Sequence, residues 1–322
     1  MIGLFKHNNP LAILLLIVLA LLPFLGEKGG LDAIVFTTSH PTLAEKELIE
    51  LLQWMGGSNS WVSNMTAISL LLVEALLLNK LATDHKLVER GGLLPAMSFL
   101  LLNALAPVKI TGLVLLCNMA IILLLKLMIM LYKKGKPNNL LLGAGFITGL
   151  LTVLKTPYFT VYIWLMVALL IMRTASLKET LVATIGFLLP FYFLTAGLYL
   201  NDNLVTQHVL SPLVLDLGLP NLRATEISRM AFFVAVPWIG LIAASQHINK
   251  MMILNRKTYI VVLLLFPILL GAAILCYQQL IPQLQLLLVP GSLMASNLFA
   301  YHKKDHLPNL ILLALVALSL FR

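Results

Sequence analysis

An all-α bundle of membrane-crossing helices is the fold this sequence predicts, and three observations predict it. The first is composition. Of 322 residues, 60% are hydrophobic and only 11% are charged, against roughly a quarter charged in an ordinary soluble domain. Mean hydropathy is +0.97. So few ionic side chains do not cover the surface of a soluble globule of this size, which sets aside a soluble enzyme, a disulfide-stapled secreted domain and a disordered chain. The second is the recurrence of apolar runs of spanning length, and the third is the placement of the basic residues.

A membrane-crossing helix needs ~20 mostly apolar residues. About eleven candidates occur, at 9–26, 64–82, 93–107, 112–131, 140–155, 158–173, 180–200, 226–245, 259–277, 283–300 and 308–321. The first follows Lys6 and has no small-residue cleavage site after it, so it reads as an uncleaved helix rather than a leader. Breakers separate the others: Gly91-Gly92, Pro107, the stretch from Gly135 to Asn139, Pro157, Pro220 and Pro308. The runs at 93–107, 140–155 and 308–321 are short. No internal repeat is visible, and residues 1–322 read as a single integral membrane domain.

The chain carries 22 Lys+Arg and 13 Asp+Glu, a formal charge of +9. In a soluble protein this would point to nucleic acid. Here the positive-inside rule accounts for it, and no nucleic-acid partner is expected. With the N-terminus cytoplasmic and the spans alternating, 15 of the 22 basic residues fall inside. The inner side then sums to +11 and the outer side to −1, with Glu74, mid-membrane, supplying the last −1. The reverse orientation puts the basic loops outside.

Two outer loops are long. The first, 27–63, holds an amphipathic stretch after Pro41. Thr42 followed by Glu45 is a capping-box pattern, and Gly56-Gly57 would end the helix. Ala44, Leu48, Leu51, Leu52 and Met55 share one face, while Glu45, Glu47, Glu50 and Gln53 lie mostly opposite. Such a helix can lie in the membrane interface or pack on the protein's own outer surface. The second loop, 201–225, mixes Asp202, His208, Asp216 and Arg223 with an apolar run and reads as half-buried.

Charge beside a bilayer needs a reason. Lys109, Lys155, Arg223 and Arg229 all lie on the outer side next to spans. Each can snorkel alone, or together they can cradle a phosphate. Glu27 and Asp32 follow the first span on that side. They are either solvated loop acids or a general base for an acceptor hydroxyl. His40 and His208 are outer histidines able to assist. Glu74 lies mid-span and must be protonated, paired with Lys126, or set against a wet path as a relay. Asn79, Asn103 and Asn118 read as interhelical hydrogen-bonding residues. Gly145 and Gly149 form a small-xxx-small pair that permits close helix packing. Cys117 and Cys276 read as buried thiols, and the seven histidines are scattered over both sides, so neither a metal centre nor a cofactor is expected. The sequence has no P-loop, HExxH, GxSxG or Cys-x-x-Cys pattern.

Two stretches carry a resemblance. Leu76 to Leu81 with His85 to Leu87 and Leu93 to Ala96 is one; Gly145 to Leu150 with Pro157, Arg173 and Pro190 is the other. With the opening Met1 to Pro10 they resemble, over the whole chain, an uncharacterised family of Bacteroidetes inner-membrane proteins, a domain of unknown function. That likeness implies the bacterial inner membrane and no particular reaction. The segment Gly145 to Pro157 is also similar to a helix end in membrane-embedded C-type polyprenyl-phosphate glycosyltransferases. That second likeness implies a lipid-phosphate-linked sugar as substrate, with Asp32 matching the acid after the first span and Lys155 the basic residue. Where those enzymes carry a paired Asp-Glu, this chain has the separated Glu27 and Asp32. Transfer from a lipid-phosphate donor at the outer face is therefore the leading expectation. A transporter or flippase built on Glu74 and a non-catalytic membrane scaffold are the alternatives.

Overall fold

The computed structural model describes residues 2–6, 10–25, 44, 48, 50, 60–88, 92–106, 112–132, 137–173, 176–200, 224–248, 253–275, 284–301 and 306–320. Among them there is no strand. The helices are α1 (Ile2–Lys6), α2 (Pro10–Leu25), α3 (Ser60–Asp84), α4 (Leu94–Leu105), α5 (Gly112–Leu131), α6 (Asn138–Leu154), α7 (Phe159–Met172), α8 (Leu177–Leu200), α9 (Ala224–Ile248), α10 (Ile253–Leu275), α11 (Leu288–Tyr301) and α12 (His306–Leu320). A 3-10 turn, Thr156–Tyr158, joins α6 to α7.

Five helical stretches are long and apolar enough to cross a membrane: Asn64–Asp84, Gly112–Leu131, Leu177–Leu200, Ile227–Ser245 and Asn255–Ile274. Six more are apolar but shorter, including Leu94–Leu105 and Leu288–Ala300. Each apolar run of the sequence coincides with one helix, and the ends differ by a few residues. The helix expected at 259–277 begins earlier, at Ile253, because Asn255, Arg256 and Lys257 form its first turns.

The burial pattern is inverted relative to a soluble protein. Large apolar side chains point outward, as with Leu11, Ile13, Leu14, Ile17 and Val18 on α2 and Leu181, Ile185 and Leu188 on α8. Polar ones are held inside, among them Glu74, Asn103, Asn118, Gln285, Ser292, Ser296 and Asn297. Water would penalise that surface, whereas hydrocarbon matches it.

Two helices form the centre. Every residue of α4 is buried, and so are residues 288–300 of α11. At 12 and 14 residues, they extend only about 18 and 21 Å, short of a ~30 Å hydrocarbon core. They are apolar on all sides because other helices surround them: α2, α3, α9, α11 and α12 pack on α4, and α9, α10 and α4 pack on α11. Few hydroxyls and amides tie the centre together. Ser98 Oγ on α4 donates to the Ser292 carbonyl on α11 (2.8 Å). Asn297 Nδ2 donates to Tyr259 Oη on α10 (2.7 Å). Trp164, wholly buried on α7, donates through Nε1 to the Val261 carbonyl on α10 (2.9 Å). Trp164→Phe keeps most of the ring volume and removes this bond, so a thermal-shift measurement in detergent should show a loss of about 1 kcal/mol.

The most extensive packing joins α6 to α8, and glycine makes it possible. A Cβ on Gly145 would overlap the Ala183 carbonyl, and one on Gly149 would overlap the Phe187 carbonyl and lie 3.0 Å from Pro190 Cγ. A Cβ on Gly186 would overlap the Leu142 carbonyl in turn. The small-xxx-small pair therefore works as packing. Residues 145 and 149 meet 183 and 187 in the same order, so α6 and α8 run parallel, with α7 returning between them.

The turns divide into two ends. At one, Phe5 of α1 is buried and its carbonyl accepts the Leu93 N–H (2.9 Å), so the N-terminal helix caps the entry to α4. Gly92 permits this approach: its φ is +126°, and a Cβ there would strike Phe5. Lys257 Nζ lies 5.6 Å from the centre of the Tyr132 ring, joining the start of α10 to the end of α5. Arg173 pairs with Glu179 across the α7–α8 turn (3.5 Å). Lys6, Lys86, Arg173, Lys178 and Lys257 thus share the α1 end, while the C-termini of α4 and α6 lie at the other.

Of the helix expected after Pro41, the described residues Ala44, Leu48 and Glu50 are helical. Leu48 packs against the core and Glu50 is exposed, which matches the expected faces.

Candidate functional site

Two of the expected phosphate-binding cations, Lys155 and Arg229, are described, and both are buried at the end opposite α1. Lys155 follows the last turn of α6. Its N–H reaches back to the Leu151 carbonyl (3.0 Å) and its backbone turns extended, at φ −144° and ψ 118°. Pro157 then opens the 3-10 turn, and the Lys155 carbonyl accepts from Tyr158 N–H (2.9 Å). The ammonium-bearing side chain is 4% exposed.

Arg229 lies near the start of α9 and is 5% exposed. Its Nη2 donates to the Ala104 carbonyl at the end of α4, at 3.4 Å. That helix stops there because Ala106 precedes Pro107, which favours the extended backbone observed (φ −51°, ψ 130°). The last carbonyls of α4 are left without helical donors. Both cations therefore sit at helix C-termini, where the aligned peptide dipoles leave partial negative charge. This gives each a structural reason to be buried. It also leaves an ammonium and a guanidinium, the two groups that bind phosphate, at one end of the bundle on different helices.

Glu27, Asp32, Lys109 and Arg223 lie outside the described residues, as do His40 and His208 and most of the two long loops. The structure thus brings Lys155 and Arg229 to one end and does not describe their meeting with the acids.

The membrane-core acid is described in full. Glu74 is 0% exposed and belongs to the buried stripe of α3 formed by Asn64, Ala67, Ile68, Leu71, Ala75, Leu78, Leu81 and Ala82. The suggested pairing with Lys126 does not occur. Lys126 is exposed on α5, on the side away from the buried residues Ile121, Ile122, Leu124, Leu125 and Met128. Neither carboxylate oxygen of Glu74 has a hydrogen-bond partner among the described residues. The expected interhelical bonds of the asparagines are also missing there: Asn118 Oδ1 and Nδ2, Asn103 Nδ2 and Asn79 Oδ1 have no partner. The amides instead leave unfilled hydrogen-bonding capacity inside the α3–α4–α5 unit.

The polar seam of α11 was not singled out by the sequence. Its signal is present, since Ser292, Ser296 and Asn297 fall at helical spacing in an otherwise apolar run, and Tyr259 occurs alone near the start of α10. The chain matches no family model, no curated protein and no solved structure.

Proposed function

We propose that this chain crosses the bacterial inner membrane about eleven times with its N-terminus in the cytoplasm, and that it transfers a sugar from a polyprenyl-phosphate lipid at the outer face. The observation that carries this reading is the burial of Lys155 and Arg229 at the end opposite the basic turns. An ammonium and a guanidinium brought to one end on different helices are the two groups that recognise phosphate, and a lipid phosphate in the outer leaflet lies within reach of that end. Lys109 and Arg223, from the adjoining loops, complete the cradle. Asp32 is the general base, and Glu27 is the second acid beside it.

The step balances simply. Asp32 takes the proton of an acceptor hydroxyl, and the oxygen attacks the anomeric carbon. The bond from that carbon to the phosphate oxygen breaks, and its electron pair leaves with the lipid phosphate. Lys155 and Arg229 stabilise the charge that develops on the departing oxygen. Transfer from a lipid-phosphate-linked sugar, measured with the purified chain in liposomes, tests the reading. Activity that survives in both Asp32→Asn and Lys155→Ala removes it.

The transporter or flippase reading is favoured by one separate observation, the complete burial of Glu74 without a hydrogen-bond partner among the described residues. It requires that Glu74→Gln stop uptake in proteoliposomes while Asp32→Asn leaves uptake intact.

A further inference from the structure

Unfilled polar atoms are not spread evenly through the described residues. Of nine such atoms, Glu74 contributes two, Asn118 two, Asn103 one and Asn79 one, all on the consecutive helices α3, α4 and α5; the others are Asn64 Oδ1 on α3, Arg229 Nε on α9 and Asn297 Oδ1 on α11. Helix α3 packs on both α4 and α5. Buried polar groups nearly always find partners, and a carboxylate and two amides left open together call for an occupant.

Height along the helices brings the three residues to one zone. Measured from the α1 end, helical rise places Glu74 about 15 Å above Asp84, Asn103 about 14 Å above Leu94 and Asn118 about 20 Å above Leu131. These heights differ by about 6 Å at most, and Asn103 directly precedes Ala104, whose carbonyl meets Arg229. All three side chains are at least nine-tenths buried: Glu74 is 0%, Asn118 1% and Asn103 2% exposed.

Charge identifies the occupant. Helices α2 and α4 contain no ionisable residue at all. Helix α5 contributes Cys117, a buried thiol, and Lys126, which is exposed. On α3 itself Lys80 and Asp84 are exposed. None of these cations faces Glu74, so an ionised carboxylate there has no counter-charge among the described residues, and a positive species must accompany it.

We infer that Glu74, Asn103 and Asn118 form an intramembrane binding site for a monovalent cation, either the proton or an alkali ion. The carboxylate supplies the charge, and the amides supply the hydrogen bonds or carbonyl oxygens that water would otherwise provide. The site shares Glu74 with the transport reading but does not require flux. Binding without flux would remove transport and leave the site.

Dicyclohexylcarbodiimide, which reacts with protonated carboxyl groups in apolar surroundings, tests this on the full chain in liposomes. Peptide mass spectrometry should find the adduct on Glu74, and Glu74→Gln should lose it. Labelling should fall as pH rises. If the occupant is an alkali ion, added Na⁺ should also suppress labelling at fixed pH; if it is the proton alone, Na⁺ should have no effect. Asn118→Leu, checked for an unchanged gel-filtration profile, should move the midpoint of the pH profile. Labelling that is constant across pH and salt would show a permanently neutral structural acid and overturn the inference, as would absence of the adduct from the wild-type chain.

Discussion

Gly149→Leu should drive α6 away from α8 and remove most of the correctly folded protein from the membrane. A side chain at this position meets the Phe187 carbonyl and Pro190 of α8. Neither can rotate aside as a flexible side chain can, so the helices must separate. Overpacking a core costs about 1–3 kcal/mol when side chains can adjust, and a clash with backbone belongs at or above the top of that range. Gly145→Leu should behave alike, because its Cβ meets the Ala183 carbonyl. Gly143→Ala is the matched control: its Cβ finds only Leu127 Cδ1, at 3.7 Å. That variant should stay within about 0.5 kcal/mol of the parent. Fluorescence-detected gel filtration of the three variants reads the difference. Equal monodispersity in all of them would contradict the packing described.

The second large effect is on activity. Lys155→Ala removes the ammonium from the end of α6, and the proposed reaction then loses a cation where the lipid phosphate departs. Removing one donor that stabilises developing negative charge typically costs about 10²–10³ in rate. Asp32→Asn removes the proposed base and should cost about 10²–10⁴ in rate. Lys155 also offsets the dipole of α6, so its loss destabilises the helix end by roughly 0.3–1 kcal/mol. That is too little to abolish folding, and membrane levels should stay near normal. Lys155→Arg keeps the charge and should restore part of the rate. A variant that lost folded protein in proportion to activity would assign Lys155 to structure alone.

Helix positions were legible because hydrophobic runs and their breakers are local properties. Pro107 marks where α4 stops, and Gly91-Gly92 marks where the α3–α4 turn lies. Gly145 and Gly149 could be read as packing residues from spacing alone. What periodicity cannot reveal is which apolar helix is surrounded by others. Helices α4 and α2 both lack charged residues and α2 is the more apolar, yet α4 is wholly buried and α2 exposes Leu11, Leu14 and Ile17. Partnership is equally non-local. Lys126 was a reasonable partner for Glu74 by depth, but its position around α5 turns it outward. The bond from Arg229 to Ala104 spans 125 positions of chain, beyond the reach of any motif. Of the candidate site, the burial of Lys155 and Arg229 is non-local and could not be read from spacing, and Glu27, Asp32, Lys109 and Arg223 lie outside the described residues.

Sugar transfer from a lipid-phosphate donor is tested by measuring lipid-linked sugars by mass spectrometry in cells that lack this protein, then restoring the wild-type or the Lys155→Ala chain. If the chain consumes a lipid-linked donor, a polyprenyl-phosphate-linked sugar accumulates in the deletion, returns to normal with the wild-type chain, and stays high with Lys155→Ala at equal membrane abundance. A lipid-linked pool that is unchanged by the deletion would contradict it.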